Sequence, residues 1–331
     1  MKAAFLIEPG KVEFREISRP EPAPGEVLIQ PIRVGICGSD VSFFSGHRAT
    51  SYPHLLGHEL VGRVVAAANG VTKFAIGARV IVEPNYTCGS CHFCLSGRGC
   101  ICPNKKSMGV TAPGCFADYV AAPAEYVWQL PDNISDLDAA TIEPLAVSVH
   151  ALVKSGARAG DTVAVVGCGG IGLLLIHAAV AEGVRVLAHG RSSNKLDRAR
   201  QLGAVAVPND ADVTELWREQ GVSSVFETAG STATVELAIG AAPRGSTVLL
   251  LGLSSSPASF VPLRLVRESV RIEPSLIYDH PSDFARTIEL VANGALHPSC
   301  IVTSTFPFEE IGRALEVANG GPVSKVQAVV S

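Results

Sequence analysis

The rhythm of apolar and polar positions changes near residue 160. Before it, short apolar runs with β-type residues, Glu26 to Arg33, Gly62 to Ala66 and Ala78 to Val82, are spaced by proline and glycine. That pattern predicts short strands joined by turns, a small and irregular mostly β domain. After it, strand, glycine turn and helix repeat. The predicted strands are Thr162 to Val166, Arg185 to His189, Ser224 to Glu227 and Ser246 to Leu251, and the predicted helices cover about 171–182, 194–202 and 232–241. Strands alternating with helices imply parallel βαβ units and an α/β fold. A helical stretch from Ser282 to Asn293 and an apolar strand from Val326 to Val330 follow. No internal repeat or low-complexity linker interrupts the chain.

At 331 residues the chain exceeds what one hydrophobic core usually organises, which favours two domains. With 47% hydrophobic and 18% charged residues it can fill those cores, and a disordered polymer is excluded. The formal charge of -4 has the wrong sign for a protein whose main partner is nucleic acid. No apolar run approaches the roughly 20 residues of a membrane span. The best candidate, Val163 to Val180, is broken by Gly167, Gly169, Gly170 and Gly172. Residues 1–10 hold only a short apolar run before Glu8 and Pro9, which does not read as a signal peptide and leads to the expectation of a reducing, cytoplasmic setting. In that setting the nine cysteines read as metal ligands or reactive thiols before disulfides.

The segment Val163-Ala-Val-Val-Gly167-Cys168-Gly169-Gly170-Ile171-Gly172 fits G-x-G-x-x-G between an apolar strand and an apolar helix. Gly167 suits the tight turn, Gly169 the close approach of backbone to a pyrophosphate, and Gly172 the packing of helix on strand, with the helix N-terminus facing the phosphates. A dinucleotide with an unmodified adenosine ribose wants a carboxylate at the end of the next strand. Here Arg185 to His189 runs into Gly190-Arg191-Ser192-Ser193-Asn194-Lys195 with no acid. Arg191, Ser192 and Lys195 would instead meet a 2′-phosphate with charge-assisted hydrogen bonds, so NADP(H) is expected over NAD(H).

Cys88-x2-Cys91-x2-Cys94-x7-Cys102 offers four thiolates within one glycine-rich stretch, suited to a closed, tetrahedral, structural zinc; Cys100 competes for the fourth place. A second, dispersed set comprises Cys37 in Gly-Ile-Cys-Gly-Ser39-Asp40, His58-Glu59 after Gly57, and Glu143 before Pro144. Thiolate, imidazole and carboxylate together bind zinc while leaving a position for water or substrate.

Taken in order, Gly-Ile-Cys-Gly-Ser-Asp, Gly-His-Glu, the four-cysteine lobe, Glu-Pro-Leu-Ala-Val and the glycine loop resemble the zinc-dependent medium-chain dehydrogenase/reductase family, in particular its sorbitol, galactitol-phosphate, threonine and cyclitol dehydrogenase branch. The resemblance spans essentially the whole chain. It implies a GroES-like, mostly β catalytic domain over 1–145 and 279–331, carrying a zinc lobe at 84–104, interrupted by a Rossmann domain, a doubly wound parallel sheet, over 146–278. It implies two zinc ions per subunit, with Cys37, His58 and either Glu59 or Glu143 holding the catalytic one, and Ser39 passing the substrate proton outward. Gly170 and Ile171 belong to the cofactor loop, Ala229 and Leu251-Gly252-Leu253 to the loops beside the ribose and nicotinamide, and Ser275 to the last strand end. Relatives often carry a histidine five residues after the catalytic cysteine; Ser42 stands there, so either Ser42 with water or His47 takes that role. Cys115 replaces a common glycine, and Cys100, Cys115, Cys168 and Cys300 are left as free thiols.

The implied chemistry is hydride transfer between a small-molecule secondary alcohol, polyol-, sugar-alcohol- or cyclitol-like, and NADP, giving a ketone or aldehyde. Ser39 and Glu143 would make the pocket polar, while Phe43, Phe44 and Phe116 would either supply an apolar wall or pack in the core. The rival readings are an NADPH-dependent carbonyl reductase acting on a non-sugar ketone or aldehyde, and a zinc-stabilised binding module without activity. The resemblance also implies a homodimer or homotetramer.

Overall fold

A computed structural model describes residues 1–330 of the chain. It divides into two compact units, one of Met1–Glu143 with the segment from Asp279 onward, the other Pro144–Tyr278.

The first unit is built on a seven-stranded sheet whose main path runs Val127–Gln129, Arg79–Val82, Glu59–Ala67, Glu26–Ile36, Lys325–Val329 and Val302–Pro307. Glu26–Ile36 lies in the middle, antiparallel to Glu59–Ala67 on one side and to Lys325–Val329 on the other. Its sequence EVLIQPIRVGI is buried over most of its length, which explains why it reads as a nearly continuous apolar run. The strand continues past Arg33 to Ile36, and its partner starts at Glu59 instead of Gly62. These extra residues bring Gly35 opposite Glu59, beside the candidate chemistry. The core beneath contains Val27, Ile29, Leu56, Val64, Val80 and the helix Ile311–Gly320, whose Ile311, Ala314 and Leu315 face inward. Phe43, Phe44 and Phe116 belong to this core, with no more than 3% of each exposed, so packing accounts for them.

The second unit is a six-stranded, wholly parallel sheet in the order Val205–Val207, Arg185–His189, Thr162–Val166, Val222–Glu227, Thr247–Leu250, Arg271–Pro274. This is the doubly wound order, with its topological switch point between Thr162–Val166 and Val222–Glu227. The expected helices form at Gly170–Ala181, Ser193–Gln201 and Thr232–Ala241. Gly170–Ala181 is apolar all round because Leu173, Leu174, Leu175 and Ile176 are fully enclosed. A helix at Ile142–Ser155 was not expected from the Glu143-Pro144 dipeptide; a proline in the first turn lacks only an N–H that has no helical partner there. No helix among the described residues is long and apolar enough to cross a membrane.

Candidate functional site

Cys37 ends the strand Glu26–Ile36 and starts the helix Gly38–Phe44. Its backbone N–H donates to Asp40 Oδ2 at 2.9 Å, while Asp40 Oδ1 accepts from Gly57 N at 3.0 Å. One fully buried carboxylate thus fastens the Cys37 turn to the loop carrying His58. Asp40 had no assigned role in the sequence, although its position three residues after a helix start is a capping-box signal. Gly57 takes φ +94°, and a Cβ on it would lie 2.4 Å from the Phe116 ring, so neither the conformation nor the space admits another side chain.

The ligand atoms of Cys37, His58 and Glu59 all fall within 4.8 Å of one another. His58 Nδ1 is buried and has no hydrogen-bond partner, with Asp40 Oδ1 3.7 Å away; Ser39 Oγ lies 3.5 Å from His58 Nε2. Burial opposes a charge on His58, but Asp40, Cys37 and Glu143 outweigh it and hold the imidazole pKa well above its ordinary value. The place therefore favours positive charge, and a thiolate, an imidazole and carboxylates suit a divalent zinc in that role. Glu143, also buried, lies close enough to act on His58 but outside the tight group of three. His47 is exposed and its Nδ1 is engaged by Ser45 Oγ at 2.6 Å; Ser42 is half-buried.

Besides Asp40, a further residue of this cluster has no role assigned from the sequence. Lys325 donates through Nζ to Glu59 Oε1 and to Ile36 O, the latter at 3.0 Å. Burial works against its charge, yet Glu59, Cys37 and Glu143 hold its pKa above the ordinary value. No local motif marks it.

The four-cysteine lobe is more self-contained. Sγ separations are 3.4 Å for Cys91–Cys94, 3.6 Å for Cys102–Cys88, 3.8 Å for Cys91–Cys102 and 3.9 Å for Cys88–Cys94. A tetrahedron with zinc–sulfur bonds of about 2.3 Å has edges of about 3.8 Å, so the group fits that ion. Cys102, not Cys100, completes it; burial and the nearby Asp279 charge push the Cys100 thiol up. Backbone N–H groups of Ser90 and Cys91 pull the Cys88 thiol down to about 5. Against the pull of the Cys94 N–H, burial and the neighbouring thiols push Cys91 up to about 11, as expected when clustered thiols share protons.

In the second unit Gly167 has φ +103°, and a Cβ on Gly172 would lie 2.0 Å from Gly167 O, so helix and turn touch backbone to backbone. Gly169 caps the helix Gly170–Ala181, and a Cβ there would meet nothing within 4 Å, leaving open space at the helix N-terminus. Gly190 follows the strand Arg185–His189; its imaginary Cβ is 3.7 Å from Cys168 Sγ, an ordinary contact, so crowding at the Cβ does not explain the missing acid. Arg191 and Ser192 are exposed, and Arg191 makes no hydrogen bond or ion pair among the described residues. Burial pushes the Cys168 thiol up to about 11 while the Lys195 charge opposes it, so that charge is felt at the glycine loop.

A third residue without an assigned role organises the remaining loops. Glu227, fully buried, accepts from Ala229 N and Gly230 N through Oε1, both at 2.9 Å, and its carbonyl accepts from Leu251 N and Gly252 N at 2.9 and 3.0 Å. Gly252 must be glycine there, since a Cβ would lie 2.2 Å from Gly230 N. Leu253 projects into solvent, and Ser275 is buried with its hydroxyl unpartnered.

Residues 23–132 match the family model of the alcohol dehydrogenase GroES-like domain, and 170–293 that of the zinc-binding dehydrogenases. The chain is 31% identical to the sorbitol dehydrogenase of Bacillus subtilis strain 168 over 96% of its own length and 93% of the relative's. Among solved structures it resembles a putative zinc-binding dehydrogenase of Sinorhizobium meliloti 1021 bound to NADP, with TM-score 0.92 and 31% identity over 99% of both chains. It also resembles an Escherichia coli CFT073 alcohol dehydrogenase complexed with NADH, with TM-score 0.93 and 28% identity over 100% of this chain and 99% of that one.

Proposed function

The chain belongs to the zinc-type medium-chain alcohol dehydrogenase family and is an oxidoreductase that uses zinc and a nicotinamide cofactor, and from that premise we propose that it interconverts a polyol-like secondary alcohol and its ketone with NADP(H) as the hydride carrier. The reading rests above all on the cluster of Cys37, His58 and Glu59, whose ligand atoms all lie within 4.8 Å of one another in a buried place that favours a cation. We assign Cys37 and His58 to the catalytic zinc, with Glu59 and Glu143 as the carboxylates of its shell, and Cys88, Cys91, Cys94 and Cys102 to a second, structural zinc. Zinc in the first site would lower the pKa of a substrate hydroxyl, and the nicotinamide would accept the hydride. Ser39 stands next to His58, where its hydroxyl can take the substrate proton and hand it outward. Asp40 keeps both ligand-bearing loops in register while this happens.

Gly167, Gly169, Gly170, Ile171 and Gly172 would cradle the pyrophosphate, and Ala229, Leu251, Gly252, Leu253 and Ser275 would flank the ribose and nicotinamide, with Glu227 fixing the first of these loops. The uncommitted Arg191 guanidinium, Ser192 and Lys195, together with Gly190 in place of an acid, support NADP. A polyol or related substrate is supported by the likeness to a sorbitol dehydrogenase and by the polar groups Ser39 and Glu143. Exposed Val261, Leu263 and Val266 of the second unit, 65%, 59% and 80% accessible, support a homo-oligomer that covers them.

Steady-state kinetics over polyols, sugar phosphates, cyclitols, amino alcohols and simple secondary alcohols, each with NADP and NAD, tests the reading. NADP is expected to give the higher kcat/KM. Arg191→Ala should cut that preference about 10- to 100-fold, the value of a lost charged hydrogen bond. A clear preference of the unaltered enzyme for NAD would refute it.

A further inference from the structure

The side chain missing from Gly35 is what joins the C-terminal strand to the metal-type cluster. Gly35 pairs with Glu59 on one side and with Gln327 on the other, while Ile36 pairs with Val326. A Cβ on Gly35 would sit 2.0 Å from Glu59 Oε2, so the Glu59 carboxylate occupies the space above this glycine. There it meets Lys325 Nζ, from a residue 266 positions later. Glu59 is fully enclosed and Lys325 only 6% exposed. The ammonium spends a second donor on Ile36 O, one residue before Cys37.

A buried carboxylate needs a counter-cation, and breaking such a pair leaves an uncompensated charge in a place where water cannot replace it. Glu59 has two candidate counter-cations, the metal of the Cys37–His58 group and Lys325. The second is permanent.

We propose that Lys325 is a positioning residue that competes with the metal for Glu59, keeping this carboxylate a weak, exchangeable ligand and keeping the metal-free site neutral enough to stay folded. The lysine acts through Glu59: its two donors go to that carboxylate and to Ile36 O. The inference rests on the zinc reading of Cys37, His58 and Glu59, and it adds a direction: removing the ammonium must tighten metal binding, because it destabilises the metal-free state more than the metal-bound one.

The test uses the full-length protein with cobalt(II) replacing zinc, and follows the visible absorption that Cys37→Ser abolishes, so that the cysteine lobe does not contribute. Lys325→Met is expected to shift this absorption and to slow cobalt loss to a chelator by tenfold or more, while the melting temperature of the metal-free protein falls and metal restores it. Lys325→Arg should behave like the unaltered protein. Equal or faster cobalt loss from Lys325→Met, with an unchanged spectrum, would overturn the competition. Should the unaltered protein lack a Cys37-dependent cobalt signal altogether, the zinc reading itself fails, a separate result. Gly35→Ala gives an independent check: by filling the space above the strand it should displace the carboxylate and reproduce the spectral shift with Lys325 intact.

Discussion

The two cysteine-containing clusters solve the problem of gathering metal-type ligands in opposite ways. The lobe collects Cys88, Cys91, Cys94 and Cys102 from one short stretch with one four-residue helix and one 3₁₀ turn, and several of its thiols remain accessible. The Cys37 group joins one residue from the end of one strand to an adjacent pair, His58 and Glu59, at the start of another, and buries two of its three members. It needs Asp40 to fasten one loop to another, Gly57 and Gly35 to clear space, and Lys325 to balance charge. A closed site of identical thiolates can be written into local spacing. An open site, which must leave room for a substrate and hold its ligands against their own repulsion, has to be assembled by tertiary register.

That contrast predicts unequal consequences of losing one ligand. Cys37→Ala or His58→Ala should lower turnover about a thousandfold or more, since charge stabilisation by a metal is worth several kcal/mol, while the circular dichroism spectrum and melting temperature change little. Normal activity in either purified, metal-analysed variant would sink the zinc chemistry. Cys91→Ser should do the reverse. Metal content falls by one ion per chain and stability drops by up to about 4–5 kcal/mol, the range of lost metal sites, yet the cobalt signal of the Cys37 group survives. If Cys91→Ser instead abolished that signal and left stability intact, the division of labour would be wrong.

The smallest expected effect concerns a buried carboxylate that uses no metal. Glu83 Oε2 accepts from Trp128 Nε1 at 3.1 Å and pairs with His280 Nδ1 at 2.8 Å. The hydrogen bond to Glu83, against burial and the Lys73 charge but with help from Glu125, raises the His280 pKa above its ordinary value. A raised folded-state pKa means that this contribution is complete below the unfolded histidine value of about 6.5 and is lost as pH rises through the folded value. Denaturant unfolding of the unaltered protein should therefore lose stability over that rise, and His280→Gln should flatten the change. An identical pH profile for both proteins would show that the pair is not linked to folding.

The parts legible in the sequence share a property: their signal lies within a few residues. The glycine loop, the four-cysteine spacing and the alternation of strand and helix all declare themselves locally. Local spacing points to Cys102 but leaves Cys100 as a competitor, because two cysteines one residue apart are both within reach until the chain folds; the structure groups Cys102 with the other three. Pocket wall and core stay equal readings for Phe43, Phe44 and Phe116 because a sequence cannot say which face of a short element meets the core, and the structure packs them in it. Asp40 could have been found from its capping spacing. Glu227 and Lys325 could not, since each acquires its role only when distant strands come into register.

The position of the strand Lys325–Val329, between Val302–Pro307 and Glu26–Ile36, also sets an order of events during synthesis. Cys37, His58 and Glu59 leave the ribosome while the residue 266 positions beyond Glu59 has yet to be made. At about 5–20 residues per second that interval lasts some tens of seconds. Throughout it Glu59 lacks its lysine, so under the competition proposed above a cation would meet no rival for that carboxylate. Metal capture can therefore precede completion of the sheet, and the arrival of the last strand would then relax a grip already made.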